Sequence, residues 1–285
     1  MKKSNKSRKI VTYVAIGLLT MGIVSSSVVL FEKNKDDSDI IAGKTLSILG
    51  DSISTYSGWS NNSAETNSTI GSNTYHYPKT GEVTSVNHTW WKQAADETGM
   101  EILVNNSWSG SRVTINKSET SAGCLARSQN LHDNTGENSG ETPDIIAVYL
   151  GTNDFQYKET CGEFQDVSEI YDNTAKTYIG ETTEFAPAYA TMIHKILLAY
   201  PKAEIYCFTL FQCSRRQDEG ENVIEGQFNS TIRYIANYFH CNIVDLYADS
   251  GITWENYAEY TGDGLHPNAA GMDLITDCFV RALKK

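Results

Sequence analysis

The sequence predicts an α/β protein arranged as a three-layer α/β/α sandwich. Three observations lead there. Five short apolar runs lie between residues 44 and 246, each too brief for a helix. Amphipathic stretches of about ten or more residues separate or follow most of them. No internal repeat and no long Pro/Gly/Ser linker divides the body. Strands alternating with helices pair in parallel, and a parallel sheet needs helices over both faces. The length of 285 residues and a 40% apolar content supply one ordinary core.

The elements follow in chain order. Residues 1–31 read as a basic tip and a membrane anchor or signal peptide. Lys2, Lys3, Lys6, Arg8 and Lys9 precede Ile10–Phe31, which holds no charged residue over 22 positions. As a helix that segment is about 33 Å long, enough for a hydrocarbon core of about 30 Å. An uncleaved anchor and a cleaved signal both place the rest outside the cytoplasm, so the expected location is extracytoplasmic. Residues 32–43 read as a polar tether, and 44–285 as the folded domain. There the expected strands are Lys44–Leu49, Glu101–Val104, Asp144–Leu150, Glu204–Leu210 and Asn242–Leu246. The expected helices are Thr89–Thr98, Thr183–Tyr200, Val223–Phe239 and Ala269–Leu283. Ala190, Ile193, Ile196, Leu197 and Tyr200 give the second helix one apolar face, and Pro201 ends it. Three polar loops, Ser57–His88, Ser111–Thr142 and Cys161–Glu181, interrupt the rhythm at strand ends.

Charge and cysteine content narrow the chemistry. The chain has 23 Lys+Arg against 35 Asp+Glu; without the five basic residues at the start the balance is 18 against 35, or −17. Such an acidic body argues against nucleic acid as a partner. Six cysteines form no CxxC pair. Cys207, Cys241 and Cys278 sit in or beside apolar runs and read as buried thiols, while Cys124–Cys161 is the one pairing suggested by polar loop context.

Four short blocks carry candidate chemistry, each at the carboxyl end of a strand or ahead of the last helix. Gly50-Asp51-Ser52 follows the first strand and places a hydroxyl where backbone N–H groups face an oxyanion. A helix N-cap is the plain alternative for that serine. Asp263-Gly264-Leu265-His266-Pro267 offers a base and a carboxylate three residues apart, the pair that activates a serine. Asn106–Gly110 and Gly151–Asp154 supply a glycine backbone N–H and an asparagine amide, the donors a tetrahedral intermediate needs; ordinary turn residues are the alternative. Asp51 and Asp154 read as loop braces rather than catalytic groups. His76, His88, His132, His194 and His240 show no metal-ligand spacing, so no metal is expected.

Taken together, ILGDS, SWSGS, YLGTND and DGLHPN in that order resemble the SGNH hydrolases, the GDSL-type esterases, across residues 44–285. Ile53 stands where the eponymous motif has leucine. The resemblance implies a flavodoxin-like five-stranded parallel sheet in order 2-1-3-4-5. It implies Ser52 as nucleophile, His266 as general base and Asp263 as its orienter, with an oxyanion hole from Ser52, Gly110 and Asn153. It also implies an esterase without cofactors. The α/β-hydrolase elbow G-x-S-x-G, the GxGxxG loop and the P-loop are absent.

For the substrate, Trp59 and Trp108 flank the nucleophile and glycine blocks and are candidate binding rings. None of the three loops has the long apolar run of a lipase lid. The expected substrate is therefore a small-molecule or polysaccharide acyl ester, an O-acetylated carbohydrate first. An O-acyltransferase on envelope glycan and a non-catalytic glycan-binding module are the other readings. A histidine base of ordinary pKa sets an expected loss of activity below about pH 6–6.5.

Overall fold

The computed structural model describes residues 41–59, 75–114, 127–133, 140–178, 183–214, 216 and 220–285. The predicted anchor and most of the tether lie outside these residues. Among the described residues, no helix is long and apolar enough to cross a membrane. Ile41–Gly43, assigned to the tether by sequence, already belong to the folded body. Ile41 is only 5% exposed within the core, and Gly43 N–H donates to Gly99 O at 2.8 Å.

Five parallel strands form the sheet: β1 (Thr45–Gly50), β2 (Glu101–Ser107), β3 (Ile145–Tyr149), β4 (Glu204–Phe208) and β5 (Asn242–Val244). Their order is β2-β1-β3-β4-β5. β1 and β3 are buried along their whole length, as central strands covered on both faces must be. β2 runs three residues beyond its apolar stretch. Asn105 and Asn106 remain inside it because their side chains donate to Ser54 O at 2.9 Å and Asn130 O at 3.0 Å. Those bonds offset the burial of amides that propensity disfavours in strands.

Helices α1 (Trp90–Thr98) and α4 (Ala269–Leu283) cover one face, where Trp90 meets Phe279 at 5.7 Å and Phe208 of β4 at 4.9 Å. Helices α2 (Phe185–Ala199) and α3 (Glu221–Tyr238) pack together, joined by Phe185 and Phe228 at 4.8 Å. α3 starts as a π-helix over Glu221–Asn229 before becoming α-helical. At that junction Asn229 is buried; it accepts from Leu210 N–H and donates to Leu210 O, clamping α3 to the chain beyond β4. Asn268 caps α4 by accepting from Gly271 N–H at 3.0 Å.

The Cys161–Glu181 stretch, expected as loop, contains a helical turn (Val167–Ile170) and a two-residue antiparallel hairpin pairing Tyr171 with Tyr178. The pairing expected between Cys124 and Cys161 falls on Cys124, which lies outside the described residues; among the described residues Cys161 forms no disulfide, and its Sγ stands 3.5 Å from Thr231 Oγ1. Cys207, Cys241 and Cys278 are likewise unbridged.

Candidate active site

β1 ends at Gly50 because the next turn packs directly on it. A Cβ there would lie 2.7 Å from Ser54 Cβ and 2.8 Å from Ser107 Oγ. Asp51 then caps a single 3-10 turn, Ser52–Ser54, accepting from Ile53 N–H at 3.0 Å. Ser52 opens that turn and is 5% exposed. The turn is pinned from below, where Trp91 Nε1 and Asn105 Nδ2 both donate to Ser54 O at 2.9 Å.

From the opposite end of the chain, residues 261–267 close into a tight loop. Thr261 and Pro267 form an antiparallel bridge, Gly262 N–H donates to His266 O, and Gly264 takes φ +83°. Within it, Asp263 Oδ1 accepts from the backbone N–H groups of Leu265 and His266, while Oδ2 accepts from His266 Nδ1 at 2.8 Å. With its proton held at Nδ1, the ring presents the Nε2 lone pair to Ser52 Oγ at 2.9 Å. Ser52 and His266 stand 214 positions apart in the chain. A hydroxyl, an imidazole and a carboxylate thus form one hydrogen-bonded relay.

The charges suit that relay. Burial lowers the His266 pKa, the neighbouring His76 lowers it further, and Asp263 only partly opposes them, so the ring is neutral at pH 7. Burial pushes the Asp263 carboxyl up, but the bonds from the His266 backbone and ring outweigh it and hold it below the usual carboxylate range. Burial raises Asp51 to about 7 despite the Ile53 and Thr152 hydrogen bonds.

Gly151 at φ +117° turns β3 into a short helix whose second residue is Asn153. Its amide nitrogen donates to Ser111 O at 2.9 Å and faces Asp51 Oδ2 at 3.4 Å, linking the serine turn to the glycine loop. Gly110 adopts φ +79° with open space where a Cβ would stand, so conformation rather than room requires glycine there. Asp154 braces the same loop, accepting from the N–H groups of Val113 and Thr114 at 2.9 Å.

The two candidate binding rings part company. Trp59 is 43% exposed and leans on Trp91 at 5.9 Å. Trp108 is 3% exposed with the Arg127 guanidinium over its ring, so it supports the glycine loop and is not a substrate platform; this corrects the sequence expectation. Tyr77 is buried as well, donating to Pro267 O at 2.7 Å.

Sequence reasoning missed two neighbours. The His76 ring stacks on His266 with centroids 3.5 Å apart and pairs with Glu82, which also holds Lys79 at 2.7 Å. No sequence spacing links His76 to residue 266; only the fold does.

The model of the GDSL-like lipase/acylhydrolase family matches residues 44–283. The chain belongs to that family. It is a serine ester hydrolase, and the GDS serine and the Asp–His loop described above are the blocks that resemble the family's motifs. Similar solved structures include a GDSL-like lipase from Bacteroides ovatus, 24% identical with a TM-score of 0.58, covering 84% of this chain and 96% of that one. Another, from Bacteroides uniformis, is 27% identical at 0.58 and covers 83% and 93%. A catalytic mutant of the acetylxylan esterase Axe2 from Geobacillus stearothermophilus is 18% identical at 0.51 and covers 85% and 96%. No curated protein matches the chain in sequence.

Proposed function

We propose that this hydrolase removes short acyl groups, O-acetyl first, from a carbohydrate outside the cytoplasm. The observation that carries the chemistry is the Ser52–His266–Asp263 relay at the carboxyl end of β1. In this reading Ser52 Oγ attacks the ester carbonyl as His266 Nε2 takes its proton. The oxyanion is held by the N–H groups of Ser52 and Gly110 and by the Asn153 amide. One Asn153 N–H is committed to Ser111 O; the other has only the 3.4 Å contact with Asp51, and it is the one assigned to the oxyanion. His266 then protonates the departing alkoxide. A water, deprotonated by the same ring, releases the acid and restores Ser52.

The polar composition of the 57–88, 111–142 and 161–181 stretches and the exposed Trp59 ring support a sugar-borne ester over a long-chain lipid. A protein of the same fold is an acetylxylan esterase. The uncharged 10–31 segment behind a basic cluster supports export.

The test compares release of acid from acetylated xylan, pectin and peptidoglycan with hydrolysis of synthetic esters of rising chain length. Acetate release that requires Ser52 is expected, and Ser52→Ala should abolish hydrolysis of p-nitrophenyl acetate with the fold intact. Turnover confined to long-chain esters would overturn the substrate class. Acetyl transfer to an added oligosaccharide outpacing acetate release would make the protein a transferase.

A further inference from the structure

Beside the serine, His76, Glu82 and His266 bring two imidazoles and a carboxylate together. One ligand atom from each lies within 4.8 Å of the other two. We propose that these three residues bind a zinc-class divalent cation that competes with Ser52 for His266 and shuts the hydrolase off. The inhibitory half rests on His266 being the general base; the binding half does not.

The donor set points to this class of ion. Two neutral imidazoles and one carboxylate match borderline metals such as Zn²⁺, whereas Mg²⁺ and Ca²⁺ favour all-oxygen shells. Tetrahedral Zn–N bonds of about 2.0–2.1 Å put donor atoms roughly 3.4 Å apart. The cluster therefore needs only side-chain rotation to close. The rings of His76 and His266 are stacked at 3.5 Å with 14° between their planes, so joint ligation requires the half-buried His76 ring to turn out of the stack about its side-chain torsions and bring a nitrogen edge toward Glu82 and His266. Asp263, accepting from His266 Nδ1, is the carboxylate behind a ligating histidine that fixes its tautomer and raises its basicity. Glu82 has a buried side chain, and Gly262 lies against it so closely that a Cβ there would fall 2.1 Å from Glu82 Cγ. That packing confines the carboxylate to the cluster. Without metal, Lys79 and His76 are its partners. Lys79 is half-exposed and free to swing out, leaving the carboxylate to the ion. Once Nε2 of His266 ligates the ion, no lone pair remains to accept the Ser52 proton.

Binding is measured by calorimetric titration of Zn²⁺ into metal-free Ser52→Ala protein, which keeps all three ligands. One equivalent is expected, and the affinity should fall about tenfold or more when His76→Gln or Glu82→Gln is added. In protein with Ser52 intact, Zn²⁺ should inhibit p-nitrophenyl acetate hydrolysis over the same concentration range, reversibly with EDTA. The His76→Gln protein, assayed on the alkaline plateau of its own pH–rate profile, should need about ten times more Zn²⁺ for half inhibition. Should Glu82→Gln fail to fold by circular dichroism, His76→Gln decides alone. Equal affinity in all variants, binding without inhibition, or Zn²⁺-dependent hydrolysis by Ser52→Ala would each overturn the proposal. If Ser52→Ala kept full metal-free activity, the catalytic reading would fail, while the calorimetry on that same variant would still decide the metal site.

Discussion

The imidazole of His266 works only when neutral, and two features of its surroundings favour that form: burial and the ring of His76 stacked upon it. The histidine pKa therefore falls below its ordinary value of 6.5. Because the unprotonated ring is the active species, the acid limb of kcat/KM should have its midpoint below pH 6.5. This moves the acid limb downward from the ordinary histidine value on which the sequence expectation rested. A pH–rate profile whose acid midpoint sits at or above 6.5 would contradict it. Replacing His76 by Gln removes one of the two lowering influences, so the limb should shift upward, toward 6.5, in the same assay.

At the scale of single elements, two short turns decide whether the relay assembles. Gly110 sits at φ +79°, where an L side chain is disfavoured by about 1–2 kcal/mol although space is open around it. Gly110→Ala should lower unfolding free energy by about that amount in urea titrations and reduce kcat more than KM, since the glycine N–H is assigned to the transition state. Asp51 caps the serine turn from full burial, and its pKa near 7 exceeds the unfolded value of 3.8. The folded state thus holds this proton more tightly than the unfolded chain. The stability it contributes is present below about pH 4 and is lost as pH rises toward 7. Asp51→Asn, which cannot ionise, should flatten the fall in stability between pH 4 and 7. Unchanged pH dependence of the melting temperature would show that Asp51 does not titrate there.

Across the whole molecule, one sheet gathers the site while two helical layers seal it. β1, β3 and β4 contribute residues buried on both sides, and α1 with α4 closes one face through Trp90, Phe208 and Phe279. Ile41 is buried in the core and residues 44–283 carry the family match, so a chain shortened to residues 41–285 should fold and melt cooperatively. It should also hydrolyse p-nitrophenyl acetate at the same rate per active serine. Removal of Ile41 as well should cost about 2–5 kcal/mol, because it empties a core position. Thermal melts of the two truncations separate these outcomes.

How much of this was legible beforehand follows from the range of the interactions involved. Strand and helix identity rest on apolar periodicity within a few residues, so α4 was read to its exact ends, and the five strands to within a few residues. The four blocks around Ser52, Gly110, Asn153 and the 263–266 loop were legible for a similar reason: glycine, serine and Asp–x–x–His spacing are local signals. β2 was read short, because Asn105 and Asn106 are poor strand formers until Ser54 and Asn130 accept their amide protons. The burial of Trp108 under Arg127 and the stacking of His76 on His266 were not legible at all. Each depends on partners supplied by distant segments. Periodicity and turn chemistry act along the chain and are written in its order, whereas desolvation, ring stacking and cation access depend on which surfaces folding brings into contact. The composition of the site therefore belonged to the sequence, and its electrostatics to the tertiary structure.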